Sequence, residues 1–494
     1  MKLLHKLLFL FILLSGFAGA QNRNSVWCFG DSAGIDFSSG LPVNIVSSVN
    51  SRGSCASIAD STGNLKLYVA YDPSAIIAGT DPVKVYNLNH DVILNGDSLK
   101  GGGWYHEIVI LPVAKNDSLY YIFYIGVTLD YGLYYAIVDM KLNGGLGAVT
   151  LKNAQLNAFP QVDCLSAVKH GNGNDWWIIS RKSDFNSGGS NNDWYIYLVT
   201  ADSIQAMPVQ SIGAQNRTNS GRLCFSSNGD KLAFTNLINV LEIFDFDRCT
   251  GILSNTITIE SDPGIAPYPY FWSCAFSPDA SKLYVTSGLD TNFLYQYNLN
   301  AANIPLSKDT LSISSYPHTA GGALKLAPDN KIYLSRWYDN LLIFPYPYPD
   351  SIYNQYNMNL SVINSPDSLG SACNFQPYSF YLGGKRTYLG LPNNPDYELG
   401  PLTGSLCDTL LSVTSVPEST NFSMYPNPSS NTLYFSPAPD NSSIIKIFDA
   451  SGRTLISKPF ARELDISVIE NGIYLVKIFS NNEIIFNKTL IKIH

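Results

Sequence analysis

The stretch of this chain that most resembles a nucleophile block is Phe29-Gly30-Asp31-Ser32. A serine hydroxyl attacks poorly until a neighbouring base takes its proton. A histidine with a carboxylate close by, as in Asp-x-x-His, could supply it. The residues three before His90, His106, His170 and His318 are Asn87, Gly103, Ala167 and Ser315, so that arrangement is absent. The tetrapeptide is therefore expected to turn a hairpin. No His-Glu-x-x-His, no Cys/His pair at zinc-ligand spacing and no acidic calcium loop occurs. Asp245 and Asp247 share one face of a strand, which reads as a solvated face. Local spacing thus names no catalytic residue, metal ligand or cofactor. A site assembled from residues far apart in sequence would leave no such signal.

Two stretches could bind rather than react. Tyr268-Pro269-Tyr270-Phe271-Trp272 and Phe344-Pro345-Tyr346-Pro347-Tyr348-Pro349 alternate rings with proline or stack rings directly. Stiff loops of this kind build platforms for sugar rings or peptide, so Tyr268, Tyr270, Trp272, Tyr346 and Tyr348 are candidate ligand contacts. The competing reading is that the rings pack against neighbouring elements. Of the eight cysteines, Cys55, Cys164, Cys224, Cys274 and Cys373 fall near the starts of apolar strands. They read as small buried residues more readily than as a set of bridges, and spacing assigns no connectivity.

The elements that must position these residues are strands. Trp272–Leu299 shows the unit: Cys274–Phe276, a polar turn through Ser277-Pro278-Asp279, Leu283–Thr286, a loop, and Phe293–Asn298. Apolar and polar residues alternate, and turn residues separate the strands. Further copies begin near Ser54, His106, Leu165, Leu223 and Ala323, with a truncated one at Phe375–Leu391. A spacing of about 50–60 residues per copy suits four-stranded propeller blades. One copy cannot bury its apolar face alone. The expected fold is all-β: a seven-bladed β-propeller over residues 21–391, with six blades as the alternative. The leftover hairpin Trp27–Phe37 would pair with the truncated copy and close the ring. Residues 392–417, rich in Pro, Gly and Ser, read as a linker. Residues 418–494 read as a small β-sandwich.

The two ends carry export signals. Lys2 and Lys6, the apolar run Leu7–Leu14 and the small residues Ala18-Gly19-Ala20 make a signal peptide of residues 1–20, cleaved between Ala20 and Gln21. No other segment is apolar enough to be expected to span a membrane. The formal net charge is −8, and the chain from Val413 onward holds seven basic and seven acidic residues. The negative excess therefore sits in the larger domain. Nothing offers the basic face that nucleic acid needs.

Several resemblances follow from these residues. Phe29–Ser32 is similar to the nucleophile block of GDSL-type esterases, without their Asp-x-x-His. Ser277-Pro278-Asp279 with Lys282–Val285, and Pro328-Asp329 with Lys331–Leu334, resemble the tyrosine-valine-threonine-asparagine (YVTN) class of propeller repeats, although both turns lack the usual glycine. That resemblance specifies fold and says little of function. Asp-Ser/Thr-apolar triplets, among them those at Asp202, Asp309 and Asp350, resemble O-glycosylation acceptors of exported Bacteroidetes proteins. The tail resembles the C-terminal sorting domain of the type IX secretion system of Bacteroidetes. The carrying residues are Tyr425, Pro426, Asn427 and Pro428, the turn with Asp449, Gly452 and Arg453, the strand with Gly472 and Tyr474, and the basic Lys492. The resemblance implies the type IX machinery as partner and delivery through periplasm and outer membrane to the surface or medium. The expected role is a non-enzymatic binding or adhesion module for a glycan or protein. The alternative is a secreted glycan lyase or hydrolase with its site at the propeller channel.

Overall fold

The computed structural model describes residues 22–72, 81–101, 104–127, 131–261, 270–288, 291–315, 319–338, 346–411, 423–436, 443–449, 453–480 and 483–493. Ala18, Ala20, Gln21, Tyr268, His318 and Gly452 lie outside them. The chain divides into two compact units, Met1–Cys407 and Asp408–His494.

Within the first unit the described residues form seven antiparallel meander sheets and a two-stranded piece, Thr319–Ala320 with Trp337–Tyr338. The first is Val26–Phe29, Asp31–Asp36 and Val43–Asn50; the second is Cys55–Ala59, Leu65–Tyr71 and Val83–Asn87. The third runs from Ile108–Pro112 to Ala148–Asn157 and the fourth from Gln161–Lys169 to Gln210–Asn216. The fifth runs from Gly221–Phe225 to Ile252–Glu260 and the sixth from Phe271–Phe276 to Asp309–Ser314. The seventh joins Leu324–Leu326, Ile332–Leu334, Asn359–Ile363 and Phe375–Tyr381. The first strands of successive sheets pack side by side and are almost wholly buried. The last strands of the first and fifth sheets alternate buried with exposed residues. Buried, near-continuous apolar strands inside and half-solvated strands outside make this a β-propeller.

The turn of the sixth sheet shows how the copies are pinned without glycine. Ser277 Oγ donates to Asp279 Oδ1 at 2.7 Å, and Ser281 N donates to the same oxygen at 2.9 Å. Against the upward push of burial, the Ser281 hydroxyl together with these donors holds the Asp279 carboxyl well below its usual range. Ala280 and Asn330 take the left-handed positions, at φ 54° and 61°, that glycine ordinarily fills in such turns.

Ring closure differs from the expectation. Trp27–Phe37 is no leftover hairpin, because Val43–Asn50 adds a third strand to it. Phe375–Tyr381 does not start a truncated copy; it is the outer strand of the seventh sheet, paired with Asn359–Ile363. The turn at Gly383-Gly384 then carries the chain away from that sheet, so Arg386–Leu391 forms no hairpin with it. Arg386 makes a single bridge to Asp31. Asp31 N donates to Arg386 O at 2.8 Å, and the buried guanidinium binds the Asp31 carboxylate, Nε at 2.7 Å. Gly30, at φ 64°, allows this approach, since a Cβ there would lie 2.4 Å from Arg386 O. The Gly-Asp-Ser block thus serves as a clasp, and Ser32 sits in the strand Asp31–Asp36.

The expected linker is also corrected. Residues 386–407 belong to the first unit and run through the ring past the inner strands. Leu389 N donates to Arg52 O at 3.0 Å and Asn393 N to Cys55 O at 2.8 Å. Asn394 Oδ1 accepts from Ser57 N at 3.0 Å, and Asn393 Nδ2 donates to Leu165 O at 2.7 Å. Tyr397 Oη donates to Ile110 O at 3.0 Å. Farther on, Arg248 Nη2 donates to Gly400 O at 2.6 Å, and Cys407 is disulfide-bonded to Cys249. The segment follows the inner strands from start to end and occupies the middle of the ring, leaving a cavity beside Leu389 and another beside Asn393–Asp396. Its amides survive burial because each named group finds a partner. Cys55, Cys164, Cys274 and Cys373 are free and buried, and Cys224 is free and half-buried.

In the second unit, Ser423–Tyr425, Thr432–Ser436 and Glu463–Asp465 form one sheet. Thr454–Pro459, Ile444–Phe448, Gly472–Ser480 and Glu483–Lys492 form the other. Leu433, Phe435, Ile445, Ile447, Val476, Ile478 and Leu490 bury their side chains in one core fed by both sheets.

Candidate binding site at the channel mouth

Where the threading segment enters the ring, it leaves a pocket of about 300 Å3. Leu389 lies in its wall together with Arg52, Trp104, Tyr105, Asp163, Phe271 and Trp272. Apart from Leu389, each comes from near a strand start or the loop before it, so the ring gathers residues as far apart in sequence as Arg52 and Trp272. Trp104 is 43% exposed and lies under the Arg52 guanidinium, whose carbon is 3.9 Å from the indole centroid. A cation on an aromatic face holds both groups in place. Trp272 meets Tyr105 edge-on at 5.9 Å and donates Nε1 to Gly288 O at 2.7 Å. It also lies flat against Gly321, where a Cβ would stand 2.3 Å from the indole.

Asp163 supplies the carboxylate. It is buried, and its Oδ1 accepts from His106 N at 2.8 Å. Burial pushes its pKa up to about 7, against the pull of that bond and of Arg52. Burial likewise lowers the pKa of Arg52, while Asp163 opposes the fall. The site therefore offers aromatic walls, a fixed guanidinium and an acid that gains or loses its proton near neutrality.

The residues expected to bind divide accordingly. Trp272 lines the pocket. Tyr346 stands at its edge, 5.8 Å from the Arg52 guanidinium, and donates its hydroxyl to Asn50 O at 2.9 Å. Tyr348 is corrected: it is 3% exposed, stacks on Tyr388 at 4.4 Å and accepts from Tyr338 N, so it is core. Tyr270 is half-buried just before the sixth sheet's first strand. Arg52, Trp104 and Asp163 were not picked out by sequence. The available signals were Trp104 directly after Gly101-Gly102-Gly103, and a lone acid in the apolar run Val162-Asp163-Cys164.

Other candidate residues have structural partners. Asp245 binds Lys231 at 2.8 Å and Asn255, and Asp247 accepts from Cys249 N at 2.8 Å. His90 Nδ1 meets Tyr68 Oη at 3.1 Å, and His170 Nδ1 accepts from Asn172 N at 3.0 Å. Among the described residues no three His, Cys, Asp or Glu side chains group as metal ligands, and no helix is long and apolar enough to cross a membrane.

In the second unit, Asn427 pins the Tyr-Pro-Asn-Pro turn to the last strand. Its Nδ2 donates to Thr489 O at 2.7 Å, and its Oδ1 accepts from Ile491 N at 2.8 Å. Arg453 returns to Asp449 through N and Nε, both at 3.0 Å. Tyr474 Oη donates to Glu470 O at 2.8 Å, Tyr425 stacks on Tyr434, and Lys492 is buried. Residues 423–492 match the family described as the secretion system C-terminal sorting domain. The tail is a type IX sorting domain. A chain bearing this sorting domain is exported to the cell surface or secreted, with the type IX machinery as its partner.

No curated protein matches the chain. Among solved structures, the periplasmic gluconolactonase PpgL of Pseudomonas aeruginosa is 12% identical, covering 86% of this chain and 99% of its own, with a TM-score of 0.36. The Dos1 propeller is 11% identical over 75% of this chain and 87% of its own, TM-score 0.40. Hsv2p of Kluyveromyces lactis is 11% identical over 69% and 89%, TM-score 0.36.

Proposed function

We propose that this is a seven-bladed propeller from a Bacteroidetes bacterium, carrying a cleaved signal peptide of residues 1–20 and a sandwich-type sorting domain. It binds a glycan or peptide non-enzymatically at the channel mouth. The observation that supports this best is the passage of residues 386–407 through the channel. The segment narrows the channel in which an enzyme's catalytic groups would converge, whereas an aromatic pocket with one guanidinium is suited to holding a ring or a side chain. The second reading, a glycan lyase or hydrolase, draws on Asp163, whose raised pKa suits a general acid. A glycan and peptide array probed with the mature chain tests the two. Binding that is lost in Trp104→Ala and Trp272→Ala but kept in Asp163→Asn supports a binding module. Turnover of an arrayed glycan, abolished in Asp163→Asn, supports the enzyme. Binding indifferent to both tryptophans sinks the mouth site.

A further inference from the structure

Deeper in the ring, beyond the mouth, lies a separate cavity of about 120 Å3. Arg222 and Lys325, from the inner strands of the fifth and seventh sheets, line it together with Asn24, Ser166, Asn394 and Asp396. Both cations are almost fully enclosed, at 4% and 7% exposure. Arg222 reaches Leu324 O through Nη2 at a long 3.4 Å, while its Nε and Nη1 are buried without any partner. Lys325 Nζ donates to Asn394 O at 2.9 Å and lies 5.3 Å from the Trp27 ring. Neither forms an ion pair among the described residues. Asp396 is also held by its own chain, accepting from Glu398 N at 2.9 Å.

A buried guanidinium cannot relieve its charge by losing a proton, so its idle donors call for a negative acceptor. Two neighbouring cations repel, which strengthens the demand. The space suits the charge: one water needs roughly 10–15 Å3 of such room, so a four-oxygen anion fits with water beside it. We infer that this cavity is a binding site for a small tetrahedral oxyanion, inorganic phosphate or sulfate, held between Arg222 and Lys325. Nε–H and Nη1 of the planar Arg222 guanidinium lie on opposite edges, so one of these idle donors meets one oxygen of the anion and Lys325 meets another. The groups that bear on the charge of Lys325 are Arg222, Cys55, His106 and Asp396. Burial, then Arg222, lowers its pKa to about 7, and a bound anion would draw the proton back. Binding at pH 8 would therefore take up a proton.

Titration calorimetry of the mature chain with phosphate, sulfate and chloride tests this. Saturable one-site binding of phosphate or sulfate is expected, with heats that change between buffers of different ionisation enthalpy. Arg222→Met should weaken it by about tenfold, the loss of a charge-assisted bond. Lys325→Met is the safer variant, because an apolar replacement of an unpaired buried charge keeps the fold. It should weaken binding and abolish the buffer dependence. Trp104→Ala, in the mouth pocket, should leave phosphate binding unchanged, which separates this site from the proposed ligand site. Absence of saturable heat with both oxyanions, equal affinity for chloride, or unchanged binding in Lys325→Met would each overturn the assignment.

Discussion

The disulfide Cys249–Cys407 fixes the far end of the threading segment to the fifth sheet, and removing it is a quantitative test of how that segment is held. The bridged residues are 158 apart in sequence. Loop-closure entropy for a loop of that length gives about 5 kcal/mol at 25 °C, while measured bridges deliver about 2–4 kcal/mol. Two hydrogen bonds act beside it, Arg248 Nη2 to Gly400 O at 2.6 Å and Leu402 N to Gly171 O at 2.8 Å. These keep part of the segment docked when the bridge is gone. The Cys249→Ser/Cys407→Ser protein should therefore lose about 2–4 kcal/mol and become cleavable between residues 396 and 407. Urea unfolding followed by tryptophan fluorescence reads the propeller alone, since all seven tryptophans lie between Trp27 and Trp337. Trp177 is the local reporter, its Nε1 donating to Arg248 O at 2.7 Å. An unchanged transition midpoint together with unchanged protease resistance would refute the reasoning. It would mean that hydrogen bonds alone retain the segment.

Three further outcomes are expected. Arg386→Met leaves Asp31 without its partner at the closing clasp; a broken buried pair costs about 3–5 kcal/mol, and the 22% exposure of Asp31 places the loss at the lower end. Adding Asp31→Asn should recover part of it in the same urea assay. Lys325, with its pKa near 7 when folded and about 10.4 when unfolded, binds fewer protons in the fold between these values. In anion-free buffer, stability should therefore rise with pH from about 7 to 10; Lys325→Met should flatten that rise in denaturation curves taken across the range. Deleting Asn421–His494 should strand the chain in the periplasm, and cell fractionation that finds it at the surface would reject the sorting role.

What was legible in the sequence is what local physics determines. The alternation in Leu283–Thr286 and the Ser277–Asp279 turn mark strands because each depends only on near neighbours. The Tyr-Pro-Asn-Pro turn and Asp449–Arg453 are likewise short-range, so the sorting domain could be read directly. The threading segment could not. Pro392-Asn393-Asn394-Pro395-Asp396 has the composition of an exposed linker, and only partners hundreds of residues away, such as Ser57 and Leu165, make it interior. The mouth pocket hides for the same reason. Arg52, Trp104, Asp163 and Trp272 meet only because ring closure places the starts of inner strands around one axis. Lys325 between Leu324 and Leu326, and Arg222 before Leu223, do carry a signal, since a lone charge in an inner-strand run must be satisfied across the channel.

The threading segment also sets a clock. Asn394 completes hydrogen bonds with Ser57, 337 residues earlier in the chain. At about 5–20 residues per second, a ribosome needs roughly 17–70 s to supply the later partner after the earlier one. The inner strands can pair meanwhile, but the ring has no filled axis until its last residues arrive. Such non-local contacts are slow to form in any case. The propeller thus cannot become rigid until the residues just ahead of the sorting domain are made, and a nascent chain stays pliable almost as long as it stays incomplete.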